Sequence, residues 1–565
     1  MNTRLKVRLD TNRDGFISEE EFGGNHWLWG QGKPGAIILP NKDRDTSELS
    51  SESLSEFTEL IIEPINVADL NGASEQYTLH LGASENAANR FTIYQLDSTN
   101  NLKRVLGVDK SKQDSSIVIS EALSLDGGKF YVESTQLPDA FFEGLITLEL
   151  FLLKENRSIV EHKEVVFRVA PWIMTPNTQA PIKVFTVRIT DSAGQVTNQQ
   201  FLNDLEYGCT LADVPLEIIE GVEYARSQGQ QDRWIQDEIE FGYCQGPKHS
   251  LPIVFDGPRD RGLDKFPEAE LLGSDFGHFQ INTYAHRNSL DSFGNLEVSP
   301  PVKANGVEYP LGRIVFGGKK LGNHQYGRNE RQMMPAIRRL LYAQKVQSPI
   351  EVFSDWLLVG HIDEFMNFIP DSSEKGFKLL LASPKLCLDS LRDVQDSFGD
   401  VLMFEGLKNT SSSGTITSAE MTINSLLDNQ ELLKFNEYCQ DCVNINESIL
   451  KRELGLTSDD IIYAPVLFKR ESQRAVALFP DMVNHLVLNQ YSLVPKPHGP
   501  RIDGKDYFEK IFEENMPNES NVVYVEDWYS YHQQLGEVHC GTNTLRESMS
   551  EVKWWESKPL GGFDI

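Results

Sequence analysis

The hydrophobic pattern of this chain changes character near residue 170, and that change constrains its fold more than any other feature. Before it, apolar residues alternate in short runs. Tyr77, Leu79 and Leu81 share one face of 75–82, and Phe91 and Ile93 share one face of 88–95. Stretches 144–155 and 158–170 read the same way, and clusters of Asn, Asp, Ser and Gly separate the runs. A period of two means strands with one buried face. Several short strands at this spacing predict a β-sandwich over residues 1–171.

Pro171 and Pro176 then punctuate an expected hinge. Beyond it, strands such as 183–188 alternate with helical stretches at 328–342 and 431–454. Pro335 starts or kinks the first of these. In the second, Leu432, Phe435, Cys439 and Cys442 fall on one face. Strand–helix alternation predicts an α/β domain over residues 172–565. A chain of 565 residues is in any case too long for one core. No sequence repeat is evident, and 409–418, rich in Ser, Thr and Gly, reads as a mobile loop. Cys439 and Cys442 lack two further zinc ligands nearby and read as core residues.

Charge narrows the function. With 53 basic and 83 acidic side chains, the net charge is −30. Nucleic acid is excluded as a partner, because phosphate contacts need Lys and Arg. Cationic ligands fit, whether metal ions or arginine-rich peptides. Residues 1–10 carry several charges and no apolar run, so no signal peptide is expected. No stretch approaches the ~20 apolar residues of a membrane span. Six scattered cysteines suit a reducing compartment, and a cytoplasmic location is the expectation.

An acidic loop lies near the N-terminus. Asp10, Asn12, Asp14, the Phe16 carbonyl, Ser18 and Glu21 fall at the ligand positions of an EF-hand loop, with Gly15 at its sharp turn. Residues 5–9 read as a strand, so this is an EF-like loop on a β-domain. Asp43 and Asp45 form a second acidic turn that could add ligands.

Three later segments carry the chemistry. In Asp232-Arg-Trp-Ile-Gln-Asp-Glu-Ile-Glu-Phe-Gly-Tyr243, an extended backbone would put Gln236, Glu238 and Glu240 on one face and Asp237 on the other. In Gly360-His-Ile-Asp-Glu-Phe365, His361 and Asp363 would enter one pocket from a strand. In Gly536-Glu-Val-His-Cys-Gly-Thr-Asn543, Cys540 precedes Gly541, which would allow close approach of a ligand to the backbone. Each segment alone also reads as ordinary structure. Together they supply the groups needed to attack a guanidinium carbon. Paired carboxylates hold the planar cation, a thiolate attacks, and an imidazole protonates departing ammonia and then activates water.

At these residues the chain resembles the protein-arginine deiminase family. The likeness runs through 165–176, 232–243, 251–262, 290–300, 354–365, 376–384, 450–456, 536–543 and 553–555, and in the N-terminal part through 10–15 and 35–45. It implies an immunoglobulin-like calcium-binding sandwich followed by a pentein α/β-propeller, and calcium-dependent conversion of peptidyl arginine to citrulline. Cys540 would be the nucleophile, forming a covalent thiouronium. His361 would be the general acid/base, and Asp237 and Asp363 would bind the guanidinium. Trp234 would line the slot for the arginine stem, while Arg259 and Arg261 would meet the substrate backbone.

The resemblance implies two calcium sites in the larger domain. Gln236, Glu240, Glu297 and the carbonyls of Phe293 and Leu296 would make one. Glu238, Asp256, Asp260 and the carbonyl of Gly257 would make the other. Family members from animals carry a further N-terminal domain, so the chain looks like a short form. Arginine-containing proteins or peptides are the implied substrates, and a homodimer is one assembly the resemblance allows. Two other readings stay open: a deiminase of free arginine or a small guanidine, and a calcium-binding scaffold.

Overall fold

The computed structural model describes residues 4–44, 53–66, 76–97, 101–108, 117–227, 229–259, 261–281, 287–319, 330–410 and 414–560. The N-terminal part consists of two sheets. One runs in the order Val7–Arg8, Thr58–Ile62, Gly128–Ser134, Phe91–Leu96, Leu102–Val108 and Ile117–Val118. The other runs Ala36–Ile38, Ile159–Val169, Leu145–Lys154, Tyr77–Gly82 and Ser120–Leu123. Leu60, Phe91, Ile93 and Phe130 from the first sheet meet Leu79, Leu81, Leu148 and Phe167 from the second in one core. The alternating faces expected at 77–81 and 91–93 are therefore the buried ones. Ala88 instead ends a short helical turn, Glu85–Ala88, capped by the Ser84 hydroxyl.

The expected hinge is not one. Trp172–Met174 is a fully buried strand that pairs antiparallel with Ile239–Gln245. Its backbone is further tied by Gln344, whose side chain accepts from Trp172 N at 3.0 Å. Both prolines thus flank a strand of the second domain's core. Their missing N–H groups fall where the ladder ends.

The second domain repeats one pattern that its sequence hides. In each of five sheets a first strand pairs antiparallel with a second, which pairs parallel with a third. The triplets are 239–245, 250–256 and 277–280; 296–298, 314–318 and 350–353; 366–370, 377–383 and 461–465; 486–488, 491–495 and 521–525; and 542–546, 181–188 and 216–220. Parallel neighbours need a crossover. Helices Pro335–Ala343, Pro384–Phe398 with Gln430–Leu454, Tyr507–Asn515 and Gln199–Leu211 fill four of these crossovers. The fifth triplet joins the two ends of the domain, because its first strand comes last in the chain.

Pro335 starts its helix at the first position, where no N–H is needed. Gln430–Leu454 buries Phe435, Cys439 and Cys442 as the period predicts, and all six cysteines are buried with no disulfide among them. At the two ends of the stretch expected as a mobile loop, Lys408–Thr410 pairs antiparallel with Ile416–Ser418, and residues 411–413 lie outside the described residues. The domains meet through Trp27, stacked on Trp554 at 5.8 Å with Arg13 above it at 4.1 Å. No described helix is long and apolar enough to cross a membrane.

Candidate active site

The first strand of every triplet is preceded by a tight buried turn, and the turns converge. Asp237 lies in the turn before 239–245, Gly294 in that before 296–298, and His361 and Asp363 in that before 366–370. Asn484 precedes 486–488 and Cys540 precedes 542–546. This geometry revises two expectations. Residues 235–238 form a helical turn, so Gln236, Glu238 and Glu240 do not share one strand face. His361 and Asp363 reach one pocket from a 3-10 turn, whose backbone N–H groups at 360 and 361 are held by Glu364.

At the centre, Cys540 Sγ lies 3.3 Å from Asp363 Oδ2 and 3.2 Å from Asn484 Nδ2. His361 Nε2 faces the Ser289 carbonyl at 2.7 Å, which leaves Nδ1 turned inward, 3.5 Å from Asp237 Oδ1. Asp237 Oδ1, His361 Nδ1 and Asp363 Oδ1 are buried without a hydrogen bond. Gly294 leaves room between them. A Cβ there would stand 2.5 Å from His361 Nδ1, 3.0 Å from Asp363 Oδ2 and 3.2 Å from Asp237 Oδ1. Gly541 does not play the role expected of it, since a Cβ built there would stand only 2.5 Å from the Tyr531 ring. Gly536 instead lies on the lining, against half-buried Trp234 and Cys540.

Electrostatics divides these groups. Burial alone would raise the Asp237 carboxyl, but Arg261, then His361 and Arg259, hold it below the usual carboxylate range. Burial, with Asp363 and Asp237 nearby, pushes the Cys540 thiol well above its ordinary value. Without a bound cation the site therefore keeps its sulfur protonated. Arg261 Nη2 donates to Asp237 Oδ2 at 2.7 Å, and its Nε faces Asp232 Oδ2 at 2.9 Å. Arg259 donates to Ser292 Oγ at 2.8 Å.

Two further acidic groups flank the turn at 235–238. Gln236 Nε2 donates to Glu240 Oε2 at 3.0 Å and to the Phe293 carbonyl at 3.3 Å. These side chains, with Glu297 and His539, line a cavity of about 30 Å³. Leu296 opens the strand that carries Glu297. Burial, then Glu297, raises Glu240 well above the usual carboxylate range. Glu238 separates from them. Both its carboxylate oxygens are buried with no hydrogen bond, and burial, then Asp232, holds the group far above its ordinary value. Gly257 N donates to the Glu238 carbonyl at 2.6 Å, and Asp256 stands at the end of the adjoining strand, bonded to His278 at 3.1 Å. Asp260 lies outside the described residues. Orphaned buried carboxylate oxygens are costly, and hard divalent cations suit such all-oxygen donor sets.

In the N-terminal loop, Asp10 accepts from the N–H groups of Arg13, Asp14 and Gly15, and Glu21 from those of Asn12 and Ser18. Their carboxylates thus turn into the loop, with Gly15 at φ 92°, while the Phe16 side chain points outward. Asp43 sits in the turn at 41–44, where Arg44 N reaches the Gly273 carbonyl across the domain joint. Asp45 lies outside the described residues. At the same joint the ligand atoms of Glu56, His249 and Asp275 all lie within 4.8 Å of one another, a group no sequence spacing announces. Asn484 and His539 also lie outside the residues the sequence singles out. Asn484 sits in no motif, whereas His539 stands beside Cys540 within the segment 536–543.

A buried thiol, an inward-facing imidazole and two carboxylates around a glycine-lined space are the apparatus of a hydrolase for a planar cation. Residues 159–556 match the family model for protein-arginine deiminase, and residues 4–154 match that family's middle domain. The chain belongs to the protein-arginine deiminase family. It is 40% identical to protein-arginine deiminase type-1 of Mus musculus over 98% of this chain and 82% of that protein. With type-4 of Homo sapiens the identity is 39%, over 94% of this chain and 79% of that one. A solved agmatine deiminase of Enterococcus faecalis overlays with a TM-score of 0.38 and 12% identity, covering 66% of this chain and 96% of that one. So distant a likeness adds nothing to the sequence relatives.

Proposed function

We propose that this chain hydrolyses the guanidinium of peptidyl arginine to citrulline and ammonia, with Cys540 as nucleophile. The observation that carries the reading is the meeting of Asp237, His361, Asp363 and Cys540 around the space left by Gly294. A guanidinium entering there replaces Arg261 on Asp237 and takes Asp363 on its other side, so both carboxylates are paired bidentately. Its charge then stabilises the thiolate, which burial otherwise opposes, as the thiol proton passes to His361. Sγ bonds to the central carbon, His361 delivers a proton to one nitrogen, and ammonia leaves as the C–N bond breaks. Water, deprotonated by His361, attacks the thiouronium carbon. The C–S bond breaks, and the thiol re-forms beside citrulline. Trp234 packs on the arginine stem, while Arg259 and Arg261 meet the peptide backbone.

Calcium is the cation this donor set would hold. Gln236, Glu240, Glu297 and the carbonyls of Phe293 and Leu296 form one site, and Glu238, Asp256, Asp260 and the Gly257 carbonyl form another. The loop Asp10–Glu21 and the acids Asp43 and Asp45 are further candidates. When bound, calcium supplies countercharge for buried carboxylates and fixes the turns that carry them. We also read residues 1–171 as an immunoglobulin-like sandwich and residues 172–565 as an α/β-propeller of the pentein type. The pairing of 542–546 with 181–188, which joins the two ends of the domain, supports the latter.

Citrulline release should be measured on a blocked arginine ester and on free arginine, with calcium and with a chelator. The expected result is calcium-dependent turnover of the ester that exceeds turnover of free arginine. Faster turnover of free arginine would favour a small-guanidine hydrolase. Undiminished turnover after chelation would remove calcium from the account.

A further inference from the structure

Glu297 and Asp363 belong to different sites, yet one imidazole touches both. His539 Nδ1 lies 3.0 Å from Asp363 Oδ2, and its Nε2 lies 3.2 Å from Glu297 Oε1. The side chain is 9% exposed, and the same Asp363 oxygen stands 3.3 Å from Cys540 Sγ. No step of the reaction set out above uses this side chain. An imidazole is rigid, with two nitrogens that point in fixed, diverging directions. A ring held by Glu297 therefore aims its other nitrogen at one place, the oxygen that faces the thiol. The backbone is equally constrained. His539 N donates to the Asn484 carbonyl at 3.1 Å, and Cys540 N donates to Asn484 Oδ1 at 3.2 Å. The ring cannot follow Glu297 without releasing Asp363 or carrying it along.

We propose that His539 is a positioning residue that couples the Gln236, Glu240 and Glu297 cation site to the substrate carboxylate Asp363; this rests on reading those three side chains as calcium ligands. A cation that draws on Glu297 changes the partner of one ring nitrogen, and the other nitrogen passes the change to Asp363. Such coupling is reciprocal. By whatever factor calcium tightens arginine binding, arginine tightens calcium binding.

The test uses the full chain carrying Cys540→Ala, which binds substrate without turning it over. Calcium is titrated calorimetrically, with and without a saturating blocked arginine amide. The amide should tighten calcium binding by roughly 5-fold or more. Two replacements then cut the bridge at opposite ends. His539→Asn places a donor near the Nδ1 position, toward Asp363, and His539→Gln places one near Nε2, toward Glu297. In each, the coupling factor should drop below about 2, whatever the change in affinity for calcium alone. Full coupling in either folded variant overturns the proposal alone. Loss of fold in both also overturns it, because the residue is then structural. Absence of calcium binding to the parent overturns the cation-site reading and this proposal together.

Discussion

Gly294 carries as much of the chemistry as the groups it separates. It contributes no functional atom, yet any side chain there intrudes on His361, Asp363 and Asp237 at once. Gly294→Ala should therefore lower kcat/KM on a blocked arginine ester by roughly 100-fold, as expected when reacting groups are displaced by about 1 Å. A folded variant of parental activity would mean that the space is not where the guanidinium sits. The thiol gives a second prediction. With the Cys540 pKa raised by burial and two neighbouring carboxylates, the thiolate fraction is small at neutral pH and grows as pH rises. Alkylation of the metal-free protein by a neutral reagent should keep accelerating beyond pH 9, while a reagent shaped like guanidinium should react faster at pH 7.5. Equal rates for both reagents at pH 7.5 would contradict substrate-assisted ionisation. Cys540, His361, Asp237 and Asp363 are candidates in the sequence only through three segments taken together and the family resemblance, because each segment alone also reads as ordinary structure. Asn484 and Gly294 were not legible in this role, since what matters is which side chains they face across the fold.

The turns, rather than the strands, place the site, and they are what strand periodicity misreads. Gln236, Glu238 and Glu240 alternate correctly for a strand, but the helical turn at 235–238 sends Glu238 away from the other two. The long helix Gln430–Leu454 was readable because its apolar face repeats over many turns. The strand at Trp172–Met174 hid between prolines, which signal a hinge as readily as a strand edge. His485 lies between the Asn484 turn and the strand Leu486–Leu488. It is fully buried, and burial lowers its pKa to about 4. Between its unfolded value near 6.5 and pH 4 the unfolded chain binds the extra proton, so this residue destabilises the fold progressively as pH falls. Relative to its value at pH 7, the stability of His485→Met should gain roughly 2–3 kcal/mol on the parent by pH 4.5. Denaturant titrations at the two pH values measure the difference, and a constant offset between the proteins would refute the assignment.

At the scale of the whole molecule, five triplets of strands with no visible sequence repeat bring their leading turns to one place. Each triplet is set by the same hydrophobic logic but uses different residues, which is why the repetition shows only in the pairing registers. The charge of −30 surrounds this centre with a field that draws cationic peptides inward. Turnover of a lysine- and arginine-rich peptide at limiting concentration should fall steeply with ionic strength, and that of a neutral blocked arginine amide much less. Equal salt sensitivity would show that the surface charge serves solubility alone. The proposed hydrolysis turns on attack of Cys540 at a guanidinium carbon. Citrulline formation by the Cys540→Ala protein, at saturating calcium and blocked arginine ester, tests it most directly. Turnover by the parent and none by the variant is the expected result; citrulline from a folded Cys540→Ala protein would mean that another group attacks the carbon.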